Sequence, residues 1–214
     1  TPYLAGGGAV RNVTLDGTTW QSAPARHEAG SPNVIGAVAL ASACDALAAL
    51  EPGVLVAHET ELRARLVEGL EEIDGVRVVR AWADAVDPVG VVTFSVDGHD
   101  AGLVASYLSA EHGIGVRDGR FCAHPLLARL GFPAGAVRAS IGVGTTGEEI
   151  ERLLSALRAY VGDGATARYE VVDGCWVVSD DPRPLLQVAG LSGLFATAAV
   201  GNITAAVGCG PAPA

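Results

Sequence analysis

Between Val76 and Val161 the apolar residues switch repeatedly between a two-residue and a three-to-four-residue period. That alternation constrains the fold more than any other feature of the chain. Residues 76–80 and 91–96 read as strands. Asp100 is a favoured cap for a helix whose inner face is Leu103, Val104, Tyr107 and Leu108, and Gly113 stands where that helix should stop. Residues 114–117 read as a short strand, 124–130 as a short helix and 137–143 as a further strand. Thr146-Gly147-Glu148-Glu149 fits a capping box, and the helix behind it aligns Ile150, Leu153, Leu154, Leu157 and Val161. Strands and helices in alternation imply one α/β unit, and we expect a mostly antiparallel sheet.

The flanks read differently. Residues 1–30 look like a Gly-rich loop and short strands, with Val13-Thr14-Leu15 and Thr18-Thr19-Trp20 around Asp16-Gly17 as a hairpin. Ser31-Pro32 should start a helix running to about Leu50, with Ser31 as cap and Cys44 in the core. Glu51-Pro52 opens a second helix striped by Leu55, Glu59, Leu62, Leu66, Leu70 and Ile73, ended by Gly75. Beyond Gly162, Tyr169-Glu170-Val171-Val172 and Cys175-Trp176-Val177-Val178 flank Asp173-Gly174 as a second hairpin. No charge follows Arg183. The stretch from Leu185 to Cys209 is diluted by Gln187, Gly190, Ser192, Gly193, Gly201 and Asn202, short of the about 20 apolar residues a membrane helix needs. A packed or floppy tail is expected, with no membrane partner.

Composition closes off several classes. The 214 residues are 50% hydrophobic and 18% charged, too apolar for a disordered chain. A formal net charge of -10 argues against a nucleic-acid partner, because phosphate backbones need Lys/Arg patches. All 14 Lys-plus-Arg residues are arginines, so there is no lysine. Chemistry that needs a lysine amine, such as a Schiff base, cannot be completed by these residues alone. The chain has no Met and starts Thr1-Pro2-Tyr3, so sequence upstream of Thr1 is expected. Cys44, Cys122, Cys175 and Cys209 form no C-x-x-C pair and no zinc pattern, and no signal peptide is visible. Reduced thiols in a cytoplasmic protein are the simplest expectation, with no metal site.

Three places could carry chemistry. Gly30-Ser31-Pro32-Asn33 at a helix start would offer unpaired N–H groups and a hydroxyl to an anion, or be only a cap. Arg117-Asp118-Gly119-Arg120-Phe121-Cys122-Ala123-His124 puts a cysteine in a short strand-to-helix loop, where two arginines would favour its thiolate; the alternative is a small buried hydrophobe. Arg138 sits on an otherwise apolar strand, either holding a carboxylate in its planar fork or facing water from an edge. His27 and His124 read as structural. Gly6-Gly7-Gly8 lacks the strand-turn-helix context of a nucleotide loop.

Together with Gly6-Gly7-Gly8, Gly17-Thr18-Thr19-Trp20 and the run from Ala23 to Asn33, the Cys122 segment and Val137-Arg138-Ala139-Ser140 resemble the class V aminotransferase family, in its cysteine desulfurase/selenocysteine lyase branch. The resemblance spans residues 6 to about 161. It implies fold type I of the pyridoxal-phosphate enzymes: residues 1–50 as the end of the large domain and a linking helix, 51–162 as the small C-terminal α/β domain, and 163–214 as a hairpin and apolar tail. It implies a homodimer, an amino-acid substrate and a sulfur-acceptor protein. It implies pyridoxal 5'-phosphate, with Ser31 and Gly30 toward the phosphate. In this resemblance Cys122 is the nucleophile, Arg138 holds the substrate carboxylate and Arg117 lines the same pocket. The reaction implied is L-cysteine to alanine plus an enzyme persulfide. The family's lysine would lie before Thr1, and Arg120 and Phe121 stand where the branch commonly has histidines. A class V transaminase for another amino acid, and a non-catalytic dimerisation or binding module, share the same scaffold.

Overall fold

The computed structural model describes residues 1–82, 85, 89–179 and 181. The tail expected at 185–214 lies outside the described residues. The chain divides into two compact units, Thr1–Pro52 and Gly53–Ala214.

In the first unit, β1 (Val10–Thr14) and β2 (Gly17–Trp20) form an antiparallel hairpin with Thr14 opposite Gly17. The turn is therefore Leu15-Asp16, one residue earlier than expected, because Gly17 joins the ladder instead of the turn. The Gly-rich segment has a packing reason. The Gly8 N–H donates to the Ala29 carbonyl at 3.1 Å, and a Cβ at Gly8 would lie 2.6 Å from the Glu28 oxygen and 2.7 Å from that of Gly30. Only glycine lets the two backbones approach so closely. Helix α1 (Val34–Ala48) is capped by Asn33, whose side chain accepts from the Gly36 N–H at 2.8 Å. The helix thus begins after Ser31 and Pro32, not at them, because Asn33 competes as an equally good cap. Cys44 is exposed, contrary to the core position expected for it.

The second unit opens with α2 (Val54–Glu71), which buries Leu62, Leu66, Val67 and Leu70. There follow β3 (Val76–Val79), β4 (Val91–Val96), α3 (Ala101–His112), β5 (Arg117–Gly119), α4 (His124–Arg129), β6 (Ala136–Ser140) and α5 (Gly147–Asp163). The strands form one sheet in the order β3-β4-β6-β5, antiparallel at every pairing. The caps act as read: the Asp100 side chain accepts from the Gly102 N–H, Gly113 closes α3 in the left-handed region, and Thr146 with Glu149 forms a capping box. Strand β5 begins where the expected strand 114–117 ends, and β6 stops at Ser140, leaving Val143 exposed. On α5 the inner face carries Tyr160, and Val161 is exposed.

Alternation along the strands sorts the sheet into two faces. Val76, Val92, Phe94, Val96, Val137 and Ala139 are buried in the core shared with α2, α3 and α5. Phe94, Leu66, Leu70, Leu108 and Leu157 are wholly buried, each stabilising the fold by roughly 1.5–3 kcal/mol. The opposite face carries Arg77, Thr93, Ser95 and Arg138. A last hairpin, β7 (Tyr169–Val172) and β8 (Cys175–Val178), turns at Asp173 and Gly174, both with positive φ, as its Asp-Gly pair demands. It is fastened to α3. Ser106 donates to the Trp176 carbonyl at 2.8 Å, and the Trp176 indole donates to Asp100 at 3.0 Å.

Among the described residues no helix is long and apolar enough to cross a membrane, and no group of three His, Cys, Asp or Glu is placed to hold a metal.

Candidate active site

Arg138 lies on β6, an interior strand flanked by β4 and β5. The edge-strand reading is thereby excluded. Its neighbours Val137 and Ala139 are buried on the core side, so strand alternation aims the guanidinium at the other face. In the register, Arg138 pairs with Arg117 on β5 and with Thr93 on β4. Directly paired residues share a face, so two arginines emerge side by side. Like charges in this arrangement repel. Among the described residues neither guanidinium forms an ion pair, and the buried Nε of Arg138 has no hydrogen-bond partner.

The loop from Arg120 to Ala123 returns over this pair. Phe121 and Cys122 both have positive φ, 53° and 56°. For side-chain-bearing residues this conformation costs about 1–2 kcal/mol each, so the surroundings must hold it. Four contacts do so. The Phe121 ring centroid is 5.5 Å from the Arg138 guanidinium carbon and 5.8 Å from that of Arg117, within cation–π range. Arg117 Nη2 donates to Cys122 Sγ at 3.9 Å. Arg120 Nε donates to the Pro133 carbonyl at 2.8 Å, tying the loop to the turn before β6. Gly135 in that turn has φ +113°, and a Cβ there would lie 2.8 Å from the Gly119 carbonyl. Cys122 is exposed at the tip.

The structure thus brings Cys122, Arg117 and Arg138 together through Phe121. Ser31 and Gly30 belong to the first unit, where both are exposed and precede the capping residue of α1. Sequence reasoning gave Phe121 no role; nothing in a one-dimensional pattern pairs a loop ring with an arginine on a later strand. His124 opens α4 and is exposed.

The second unit is thus an α/β domain with an antiparallel sheet that places an exposed thiol beside two arginines without an ion pair among the described residues. The aminotransferase class-V family model matches residues 1–153, and the chain belongs to that family. It is 40% identical over 156 residues to a probable cysteine desulfurase of Xylella fastidiosa, covering 73% of this chain and 36% of the relative. It is 40% identical over 158 residues to probable cysteine desulfurase 2 of Mycobacterium leprae, covering 73% and 37%. Among solved structures it is similar to the cysteine desulfurase CsdA of Escherichia coli, with 34% identity, a TM-score of 0.59 and 75% and 38% coverage. An apo cysteine desulfurase of Thermococcus onnurineus shows 37% identity, a TM-score of 0.61 and 75% and 39% coverage. The chain spans under two fifths of the length of these relatives. Its fold is that of the C-terminal part of a fold type I pyridoxal-phosphate transferase.

Proposed function

We propose that this chain supplies the sulfur-accepting and carboxylate-binding part of a cysteine desulfurase active site. The observation that supports it is the grouping of the Cys122 thiol with Arg117 and Arg138 on one sheet face. Arg138 receives the α-carboxylate of the amino acid through its planar fork, which its buried, unpartnered Nε leaves available. Arg117 keeps positive charge beside Sγ, which suits a thiolate. With the carboxylate anchored, the substrate sulfur lies toward Cys122 and the attack is intramolecular in effect. The Cys122 thiolate forms an S–S bond as the substrate C–S bond breaks. The electron pair of that bond stays with the carbon, which takes up a proton. The products are alanine and a Cys122 persulfide, whose outer sulfur passes to an acceptor thiol.

Pyridoxal 5'-phosphate, which the family implies, supplies an electron sink when bound. The residues present do not fit its covalent anchoring. There is no lysine amine in the 214 residues, while Ser31 and Gly30, exposed ahead of the capping Asn33, remain the residues proposed to reach its phosphate. We therefore assign the chain the amino-acid side of the site, within a cytoplasmic homodimer. The second reading, a non-catalytic binding module of the same fold, is the one that needs no lysine.

In the holoenzyme supplied with L-cysteine, a persulfide should form on Cys122 and alanine should be released. Cys122→Ala should lose both. Amino-group transfer that survives in Cys122→Ala would instead support a class V transaminase. No turnover in the wild-type holoenzyme would leave the binding module.

A further inference from the structure

We propose that Phe121 is a positioning residue: its ring holds the Arg117 and Arg138 guanidinium groups together and thereby keeps Arg117 against the Cys122 sulfur. The inference rests on the reading of these three residues as one site, and assigns that site its missing structural partner.

Two like charges emerging from paired strand positions would splay apart if nothing attracted both. No carboxylate does so among the described residues, and the Phe121 ring is the group both cations reach. The face of a benzene ring carries partial negative charge, so it attracts guanidinium without neutralising it. That distinction matters for the chemistry. An acidic residue in the same place would tie up the arginines and repel both a thiolate and a substrate carboxylate. The ring leaves both positive charges available to anions.

The attraction also acts on the loop. Phe121 and Cys122 stand in consecutive left-handed conformations. A ring held by two side chains from β5 and β6 fixes the first of them, and the peptide after it fixes the direction in which Sγ leaves the backbone. Phe121 therefore couples sulfur placement to arginine placement. Neither a smaller nor an aliphatic side chain at 121 would do so.

The test uses the full chain and reads thiol reactivity. Alkylation by iodoacetamide at pH 7 is followed separately at Cys122 and Cys44 by peptide mass spectrometry, in wild type, Phe121→Leu and Phe121→Trp. Cys122 is already exposed, so a looser loop adds little access; what changes is the positive charge beside sulfur. In Phe121→Leu the Cys122 rate relative to Cys44 should fall about threefold, the effect of losing the one exposed cation–π contact that holds Arg117. Phe121→Trp, which restores a π face, should recover most of the ratio. An unchanged ratio in Phe121→Leu would overturn the proposal. So would equal changes at both cysteines, which mark general loosening, or failure of Phe121→Trp to rescue a lowered ratio. Absence of a Cys122 persulfide in the wild-type holoenzyme would sink the desulfurase reading but would leave these ratios untouched, so the two can fail separately.

Discussion

A single arginine shows how much of the site follows from strand geometry. Arg138 sits among Val137, Ala139 and Ala136, all buried, on an interior strand. Its place opposite the core was legible in the sequence, since alternation decides the face; that Arg117 would stand beside it depended on a register no pattern reveals. If Arg138 holds the substrate carboxylate, Arg138→Ala should raise the apparent KM for the amino acid about ten- to a hundredfold, as expected for a lost charge-assisted hydrogen bond. Coenzyme affinity should change far less; equal loss of both would remove that role. Gly135 is the other residue on which the loop depends. Its φ of +113° and its contact with Gly119 leave no room for a side chain. Gly135→Ala should lower unfolding stability by about 1–3 kcal/mol in denaturant titration. A neutral effect would show that the turn before β6 yields easily.

Elements were legible where local chemistry named their ends. Asp100, Gly113 and the Thr146/Glu149 box all cap as their residue types predict. The start of α1 was misplaced because Ser31 and Asn33 are both good caps, and only the observed Asn33 to Gly36 bond decides between them. The β1–β2 turn slipped by one residue because Asp-Gly also fits the end of a turn whose glycine enters the strand. The β7–β8 hairpin was legible as a hairpin but its docking was not. It lies beyond the residues that match the family, and its anchor is Glu111 on α3. Glu111 accepts from the Thr166 and Ala167 N–H groups, the Thr166 hydroxyl and the Tyr169 hydroxyl. Burial pushes this carboxyl up, but the hydrogen bonds from Thr166, Ala167 and Tyr169 outweigh it and leave it below its ordinary value of 4.5. A carboxyl lowered in the folded state stabilises above its unfolded value, and the contribution fades as pH falls through the lowered one. Glu111→Gln should therefore lower Tm at pH 7, and the gap to wild type should close on acidification below pH 4.5. A gap that is constant with pH would mean that the charge of Glu111 contributes nothing.

At the scale of the whole molecule, two compact units divide the candidate residues. The second holds Cys122, Arg117 and Arg138; the first holds Ser31 and Gly30. The α/β architecture was readable from alternation alone, whereas the strand order β3-β4-β6-β5 was not, because a late strand inserts between two earlier ones. The absence of lysine is plain from the sequence: these 214 residues hold no side-chain amine that could anchor a carbonyl coenzyme.

The central claim is that the Cys122 thiol and the two arginines form one anion-attracting group. Competitive alkylation with iodoacetate and iodoacetamide tests it most directly, since the two reagents differ chiefly in a carboxylate. Resolved by peptide, the iodoacetate-to-iodoacetamide ratio should be higher at Cys122 than at Cys44 in the same molecules, and Arg138→Ala should bring the two together. Equal ratios in the wild-type chain, or a Cys122 preference that survives Arg138→Ala unchanged, would contradict it.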